Sequence, residues 1–284
     1  MMKRVLVIVV TYNGMQWIDR CLSSVVKEAD VYVWDNDSTD GTPDYVISHF
    51  PEVSLTRSAD NLGFSVPNNK GMEYALVKGY DYVYLLNQDA WLEAGALLRM
   101  VQEADSHPQY GVLSPMQYAA DGVTLDAQFS RCLSSRKPSA VLSVKRVMAA
   151  HWLVPTEVIR RIGPFEEKLF PLWGQDDDWC HLLRYNRLKV GVVQDARAVH
   201  DRAYREEPLE KVVRRNYYTG SLVRLCNVNC PLVFSYPFVL LFTLVKAVKY
   251  RSVLPFRYFR IIGRDFPKIR ERRRLVRARL HKRM

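Results

Sequence analysis

In the N-terminal third of the chain, short continuous apolar runs alternate with stretches in which apolar residues recur every three or four positions. The run at residues 4–10 is rich in β-branched residues, as expected of a strand buried on both faces of a parallel sheet. The spacing of apolar residues over 17–26 predicts a helix directly after it. Further strands are predicted at 31–34, 53–56 and 82–86, and further helices at 43–50 and 67–78. This alternation predicts an α/β fold with a doubly wound, mostly parallel central sheet flanked by helices.

A weaker pattern follows between residues 105 and 140, where Gly, Ser and Pro interrupt the chain without a clear period. We interpret this stretch as an insertion into the fold. Regular elements resume with a strand at 144–154, helices at 155–161 and 175–185, and a late strand at 190–194 that leads to His200. After about residue 210 the chain becomes a helical, aromatic and basic appendage.

The charge of the chain is concentrated in this appendage. The formal net charge is +11, and residues 251–284 contain 13 Lys and Arg against two acidic residues. The first 250 residues hold 28 basic and 28 acidic residues and are neutral. Only the tail therefore needs an anionic partner to explain its charge.

The segment before the basic tail favours a membrane surface as that partner. Aromatic residues mix with aliphatic ones from Phe234 to Tyr250, as in a helix that lies in a membrane interface. Each cation near an anionic surface adds about 1 kcal/mol of binding energy. The uncharged run 231–245 is shorter than the ~20 residues that span a bilayer, so we expect it to lie on the membrane or to pack in the core. A solvated basic helix is the alternative; nucleic acid is not expected, because no motif supports it.

The cysteines and the N-terminus indicate a cytoplasmic protein. Five cysteines at irregular spacing form neither a disulfide framework nor a paired zinc motif. The apolar run near the N-terminus is too short for a signal peptide. Cytoplasmic location and the basic tail together predict a peripheral protein on the inner face of the cell membrane.

Polar clusters follow the predicted strands at the edge where ligands of open α/β sheets bind. They are residues 11–13, 35–41, the segment after 56, and 87–89. The acidic cluster at 35–41 is not a calcium loop, because its glycine comes one position late and the closing glutamate is absent. It is either an Asx turn that caps the next helix or a carboxylate site for a nucleotide base or ribose.

In order and spacing these clusters resemble the inverting glycosyltransferase family 2, which has a GT-A fold. The resemblance covers about residues 3–205. The motifs that carry it are Thr11-Tyr12-Asn13, Asp35-Asn36-Asp37-Ser38-Thr39-Asp40-Gly41-Thr42, Asn61-Leu62-Gly63-Phe64 with Asn68-Asn69, Leu86-Asn87-Gln88-Asp89, Gly163-Pro164-Phe165-Glu166-Glu167 and Gln175-Asp176-Asp177-Asp178.

The resemblance implies a function for each part of the chain and for individual residues of these motifs. It implies a nucleotide-sugar half at 1–104, an acceptor half at 105–210 and a membrane-associating appendage at 211–284. Asp176 would be the general base, with Asp178 as the second candidate. Asp89 would bind a metal, with His200 as a further ligand. The residues expected to hold the nucleotide-sugar are Thr11, Tyr12, Asn13, Asp35, Asp37, Asn61, Gly63, Asn69, Asn87 and Asp89.

Two departures from the family pattern change the expected chemistry. Asn87 replaces the first acid of the usual D-x-D, so the site for Mg²⁺ or Mn²⁺ has one charge fewer and metal dependence stays open. This Asn-x-Asp variant is common in rhamnosyltransferase-like members, which makes rhamnose from dTDP-rhamnose the leading donor. Gln175 replaces the usual glutamate and leaves three adjacent aspartates, of which Asp176 fits the register of the base. Their mutual repulsion can raise one pKa toward neutrality.

The expected activity is therefore inverting transfer of a sugar from a nucleotide-sugar to an acceptor hydroxyl. The expected acceptor is a glycan or lipid-linked glycan in the assembly of surface polysaccharide or O-antigen. A carbohydrate- or nucleotide-binding module of the same fold without turnover is the alternative, because acids are missing at Asn87 and Gln175. His151, Trp152 and Trp173 are either sugar contacts or core residues.

Overall fold

The computed structural model describes residues 3–133, 139–202 and 207–281. Parts of the predicted insertion (134–138), of the family resemblance (203–205) and of the basic tail (282–284) lie outside the described residues. The strands are β1 (Val5–Thr11), β2 (Asp30–Asp35), β3 (Ser54–Arg57), β4 (Tyr82–Asn87), β5 (Ala90–Leu92), β6 (Tyr110–Tyr118), β7 (Val141–Val144), β8 (His151–Pro155) and β9 (Lys189–His200).

Helices flank the sheet and continue into the C-terminal segment. They are α1 (Ile18–Ser23), α2 (Thr42–His49), α3 (Ser65–Lys78), α4 (Ala96–Ser106), α5 (Ala127–Ser130), α6 (Thr156–Ile162), α7 (Gln175–Tyr185), α8 (Leu209–Val213), α9 (Gly220–Cys226), α10 (Leu232–Tyr250) and α11 (Leu254–His281). A π-helical turn, Arg214–Thr219, joins α8 to α9.

One sheet runs through the α/β part in the order β3-β2-β1-β4-β8-β6-β9-β5, and β7 pairs with β9. The first four strands are parallel, and so are β6 and β9. The strands β8, β5 and β7 pair antiparallel with their neighbours. The predicted α/β fold with a mostly parallel sheet is confirmed, and the parallel strands β1, β2 and β4 end at one common edge.

The sheet is buried on both faces, as the apolar runs predict. Val7 and Val9 of β1 belong to one apolar cluster, with α1 and α4. Leu6 and Ile8 belong to another, which also contains Trp152 and Trp179. Residues at alternate positions of a strand point to opposite faces, so continuous apolar runs are needed where both faces are covered.

The interpretation of residues 105–140 as an irregular insertion is wrong over 110–118. That segment is β6, which lies between β8 and β9 inside the sheet. Its apolar pattern is interrupted because Ser114, Pro115 and Gln117 lie within it, and the pairing with β9 shifts register at Pro115. The buried Gln117 amide donates to the Ser114 hydroxyl at 3.0 Å, whereas its Oε1 has no hydrogen-bond partner among the described residues.

Three further boundaries differ from the prediction. The predicted strand at 144–154 is two strands, β7 and β8, separated by a segment in which Arg146 pairs with Asp177. The late strand is longer than predicted and continues to His200 itself. β5 and α4 lie in a region for which no element was predicted.

Helix α10 changes the expectation for the tail. It has 19 residues, and an 18-residue window within it has a mean hydropathy of 1.7 with 17% of its residues buried, so by length and composition alone the helix could cross a membrane. The uncharged run 231–245 is itself shorter than a bilayer span, but the helix that contains it continues through Lys246 and Lys249 to Tyr250. Packing in the core is wrong for most of its surface. Helix α11 then returns to the α/β part.

Candidate active site

The ends of β1 and β2 form a buried polar corner. The Thr11 hydroxyl donates to Asp35 Oδ1 at 2.8 Å, and Asp35 Oδ2 accepts from the backbone N–H of Ser38 at 2.9 Å. Asp35 is only 1% exposed. The parallel pairing aligns Thr11 with Asp35 across the two strands, which explains why the sequence spacing brings these two residues together.

The loops beyond the strands are joined by Asn13. Its Oδ1 accepts the Thr39 N–H at 2.9 Å, while its own N–H donates to the Ser38 hydroxyl at 2.9 Å. Asn13 and Asp37 both adopt positive φ, 49° and 64°, a conformation that Asn and Asp tolerate better than most residues. The Asx turn considered for this cluster is formed by Asp40, which accepts the Thr42 N–H at 3.0 Å; the N-cap residue of α2 is Gly41.

A second loop, residues 61–65, is attached to this corner through a residue the prediction did not select. Asn36 is 3% exposed, and its amide donates to the Gly63 carbonyl at 2.7 Å. Gly63 has a φ of +78°, and a Cβ at this position would lie 2.5 Å from the Pro171 carbonyl oxygen. That carbonyl accepts the N–H groups of Phe64 and Ser65 at 2.8 and 3.1 Å. Glycine at 63 therefore allows the loop after β3 to contact the loop before α7.

Two of the asparagines expected to hold the nucleotide-sugar, Asn61 and Asn69, form hydrogen bonds with backbone groups. Asn69 holds the peptide of Phe165 from both sides, accepting its N–H at 2.8 Å and donating to its carbonyl at 3.0 Å. Asn61 Oδ1 accepts the Gly63 N–H at 3.0 Å and remains exposed. Asn69 thus joins α3 to the 163–167 segment, and Asn61 shapes its own loop.

Gln88 is a second residue that the sequence interpretation passed over. Its Oε1 accepts the Tyr12 N–H at 2.8 Å and its Nε2 donates to the Tyr12 carbonyl at 3.1 Å. The Tyr12 ring is 48% exposed, so Gln88 fixes the backbone of a side chain that is free to contact a ligand. The central position of the 87–89 motif therefore has a structural role, between Asn87 at the end of β4 and Asp89.

Asp89 and His200 lie side by side. Asp89 Oδ1 is 3.3 Å from His200 Nε2, because β5 pairs with β9 in a register that sets Ala90 opposite His200. Burial opposes the charge of Asp89, but the hydrogen bond and charge of His200 outweigh it and hold the pKa of that carboxyl below its ordinary value. Within the described residues no group of three acidic, His or Cys side chains could hold a metal ion. Any cation here would take only two ligands from these side chains.

His151 and Trp152 are core residues, which decides between the two alternatives for them. Both are fully buried; His151 contacts the Tyr84 hydroxyl at 3.0 Å and the Val199 carbonyl at 3.1 Å. Burial lowers the pKa of His151 to about 3, so it is neutral near pH 7. Trp152 stacks on Trp179 with ring centroids 6.0 Å apart.

The three aspartates at the start of α7 have different partners. Both carboxylate oxygens of Asp177 accept from Nη1 of Arg146 at 2.8 Å. Asp178 pairs with Arg272 of α11. Asp176 accepts only the Asp177 N–H, at 2.8 Å, and has no ion-pair partner in the described part of the chain. Burial, followed by the charge of Asp177, raises the pKa of Asp176 to about 7. A pKa near 7 suits a general base near neutral pH. Burial also raises the pKa of Asp178, the second candidate, but that carboxylate is paired with Arg272.

A cavity of about 750 Å³ lies elsewhere, between α3, the 164–169 segment and α11. Its lining includes Asn69 and Arg272 but none of Thr11, Asp35 or Asp89. This groove is therefore separate from the corner that Thr11 and Asp35 form at the ends of β1 and β2.

The sequence model of a family described as glycosyl transferase family 2 matches residues 6–159, more than half of the chain. A protein from Mycobacterium tuberculosis strain H37Rv, named N-acetylglucosaminyl-diphospho-decaprenol L-rhamnosyltransferase, is 30% identical over 128 residues. This match covers 41% of the chain and 42% of the relative, and the protein of the same name from strain CDC 1551 / Oshkosh matches equally.

Solved structures share the fold. S. aureus TarS 1-349 in complex with UDP-GlcNAc superimposes with a TM-score of 0.58 at 18% identity, covering 82% of this chain and 69% of that one. GalNAc-T7 with UDP, GalNAc and Mn²⁺ also gives 0.58, at 14% identity, covering 94% of this chain and 58% of that one. These matches confirm the predicted GT-A fold.

Proposed function

We propose, from the premise that this chain belongs to glycosyl transferase family 2 and is a glycosyltransferase, that it transfers rhamnose from dTDP-rhamnose to a lipid-linked glycan. The observation that carries this choice is the 30% identity to an N-acetylglucosaminyl-diphospho-decaprenol L-rhamnosyltransferase. The segment Asn87-Gln88-Asp89 supports it, because the Asn-x-Asp variant resembles rhamnosyltransferase-like members.

The proposed donor site is the corner formed by Thr11, Tyr12, Asn13, Asp35 and Asp37. A buried carboxylate that keeps lone pairs free can accept hydrogen bonds from a base N–H or ribose hydroxyls. Each Asp35 oxygen accepts one hydrogen bond, Oδ1 from the Thr11 hydroxyl and Oδ2 from the Ser38 N–H, which leaves a lone pair on each for a ligand. The exposed Tyr12 ring offers a face for a nucleotide base or sugar.

Asp176 is the proposed general base. The acceptor oxygen forms its bond to the anomeric carbon while the bond from that carbon to the diphosphate oxygen breaks. The leaving diphosphate keeps the electron pair, and the acceptor proton goes to Asp176. A single displacement of this kind inverts the configuration at the anomeric carbon.

Asp89 and His200 are the proposed ligands of a divalent cation, Mg²⁺ or Mn²⁺. Asp89 Oδ1 and His200 Nε2 lie 3.3 Å apart, so the two side chains would be close enough to hold one cation together. When bound, such a cation stabilises negative charge on the departing diphosphate. Of the two proposed ligands, Asp89 supplies the negative charge and His200 a neutral nitrogen.

The donor is tested by turnover with dTDP-rhamnose, UDP-GlcNAc and GDP-mannose, each with Mn²⁺ and an N-acetylglucosaminyl-diphospho-lipid acceptor. We expect release of dTDP from dTDP-rhamnose to exceed release from the other two donors at least tenfold. A higher rate with another donor contradicts the choice of sugar. Binding of donors without release of any nucleoside diphosphate in a single turnover would favour the module without turnover.

The proposed location is the cytoplasmic face of a membrane, with α10 in contact with lipid. The residues that α10 leaves exposed are apolar: Phe234, Leu241 and Val248 are 67%, 60% and 79% exposed. Its two cations, Lys246 and Lys249, lie near the helix end, where the basic part of the chain begins. An apolar face flanked by cations is typical of an interfacial helix.

Replacing Leu241 and Leu244 together with aspartate should remove this membrane contact. Each exposed leucine that enters lipid contributes roughly 1.5–3 kcal/mol, so we expect vesicle affinity to fall at least 100-fold. Flotation with vesicles of phosphatidylglycerol and phosphatidylcholine measures it. Leu98→Asp on α4 is the matched control, since Leu98 is 58% exposed on a different surface. Equal flotation of the double variant and the wild type would refute the lipid contact of α10.

A further inference from the structure

We infer that Arg272 of α11 is a positioning residue for the general base: it holds the first turn of α7, and with it Asp176, in the working orientation. The inference rests on the proposed role of Asp176. It assigns to the basic C-terminal helix a task inside the enzyme, apart from any contact with a membrane.

Arg272 lies between two acids of the acceptor half. Its Nη1 is 3.3 Å from Glu166 Oε2, and its Nη2 contacts Asp178 Oδ2. The Arg272 and Asp178 side chains are 11% and 2% exposed. The guanidinium therefore joins the 163–167 segment to the first turn of α7 in a place that solvent hardly reaches.

A buried ion pair of this kind adds little to the free energy of unfolding. Removing two charges from water costs several kcal/mol per ion, and a well-packed apolar pair is often equally stable or more so. The directional guanidinium contacts instead select one relative arrangement of α11, α7 and the 163–167 segment. This geometric selectivity is what a general base requires of its support.

Other contacts keep α11 in place independently of Arg272. Arg273 is 3% exposed and donates to the carbonyls of Leu225 and Cys230, each at 2.8 Å. Val276 joins the apolar cluster that contains Trp179, and Arg279 donates to the Ile162 carbonyl at 3.1 Å. A substitution that removes only the guanidinium of Arg272 should therefore leave the helix docked.

The first turn of α7 is held from two directions. Asp177 pairs with Arg146 and Asp178 pairs with Arg272, and successive helical residues point about 100° apart. Asp176, which has neither arginine, takes its direction from this fixed backbone. A displacement of about 1 Å at a catalytic group can cost up to 100-fold in rate.

Replacing Arg272 with methionine should lower kcat about tenfold and change the KM for the donor less than twofold. Hydrogen exchange of the full chain should become faster over residues 175–180 and stay unchanged over 273–279. Arg274→Met is the matched control on the same helix, because the Arg274 side chain is 77% exposed and its ion pair with Glu271 is long, at 3.9 Å. It should change neither readout.

The double variant Arg272→Met, Asp178→Leu separates positioning from stability. It removes the unpaired buried carboxylate, so we expect its Tm to return toward that of the wild type while kcat stays about tenfold low. Recovery of kcat together with Tm would overturn the positioning role, and so would unchanged exchange over 175–180 in Arg272→Met. The exchange measurement needs no donor, so it tests Arg272 even if dTDP-rhamnose proves to be the wrong substrate.

Discussion

Asp176→Asn should lower kcat by about 10²- to 10⁴-fold, the usual contribution of a general base. Asparagine keeps the size of the side chain but cannot take up the acceptor proton. The proposed donor site lies at the ends of β1 and β2, so the Kd for dTDP should change less than twofold. Steady-state turnover and calorimetry on the same preparation measure the two effects.

The pH dependence of the wild type provides a second test of Asp176. Because burial and the charge of Asp177 raise its pKa to about 7, the carboxylate is ionised above that pH and protonated below it. We therefore expect kcat to fall about tenfold for each pH unit below 7 and to level off above it. The residual activity of Asp176→Asn should lack this acidic limb. Wild-type kcat in that variant would refute the role of Asp176 as base.

Asp89→Asn should weaken the binding of dTDP at least tenfold in the presence of Mn²⁺ and change it little without the ion. The substitution keeps the shape of the side chain and removes the negative charge of the proposed ligand pair. In turnover, we expect a loss of about 10²- to 10³-fold, the scale at which removing one electrostatic stabiliser of a transition state acts. Calorimetry with and without Mn²⁺ provides a readout that does not depend on turnover.

Asp195→Asn is the matched control for Asp89→Asn. Asp195 is an exposed acid on β9, the same strand that carries His200. The control should bind dTDP as the wild type does under both conditions. If Mn²⁺ strengthens binding equally in Asp89→Asn and in the wild type, Asp89 is not a metal ligand.

The parallel half of the fold could be predicted because its strands are buried on both faces. The continuous apolar run of β1 has no competing interpretation, and the polar residues that follow it mark the strand end. The strand β6 could not be predicted in the same way. Pro115 and a register shift break its pattern, and the surrounding sheet compensates through pairing with β9, which lies far away in the sequence.

Within the site, residues at strand ends were predictable and residues that hold loops were not. Thr11, Asp35 and Asp89 follow apolar runs directly, so their common edge can be inferred from topology. Asn36 binds the backbone of Gly63, and Gln88 binds the backbone of Tyr12. Because every residue has the same backbone groups, the sequence does not indicate which of them a distant side chain will bind. Arg272 meets Asp178 across 94 residues of chain, which no local spacing encodes.

The carbonyl of Pro171, which accepts the N–H groups of Phe64 and Ser65, limits how this enzyme can be redesigned. A chimera that exchanges residues 61–65 for those of a relative would bring a foreign loop against an unchanged partner segment, and the reverse exchange would do the same. Grafts intended to alter sugar choice should therefore move residues 61–65 and 170–173 as one cassette. Natural variants of the two segments should likewise be inherited together.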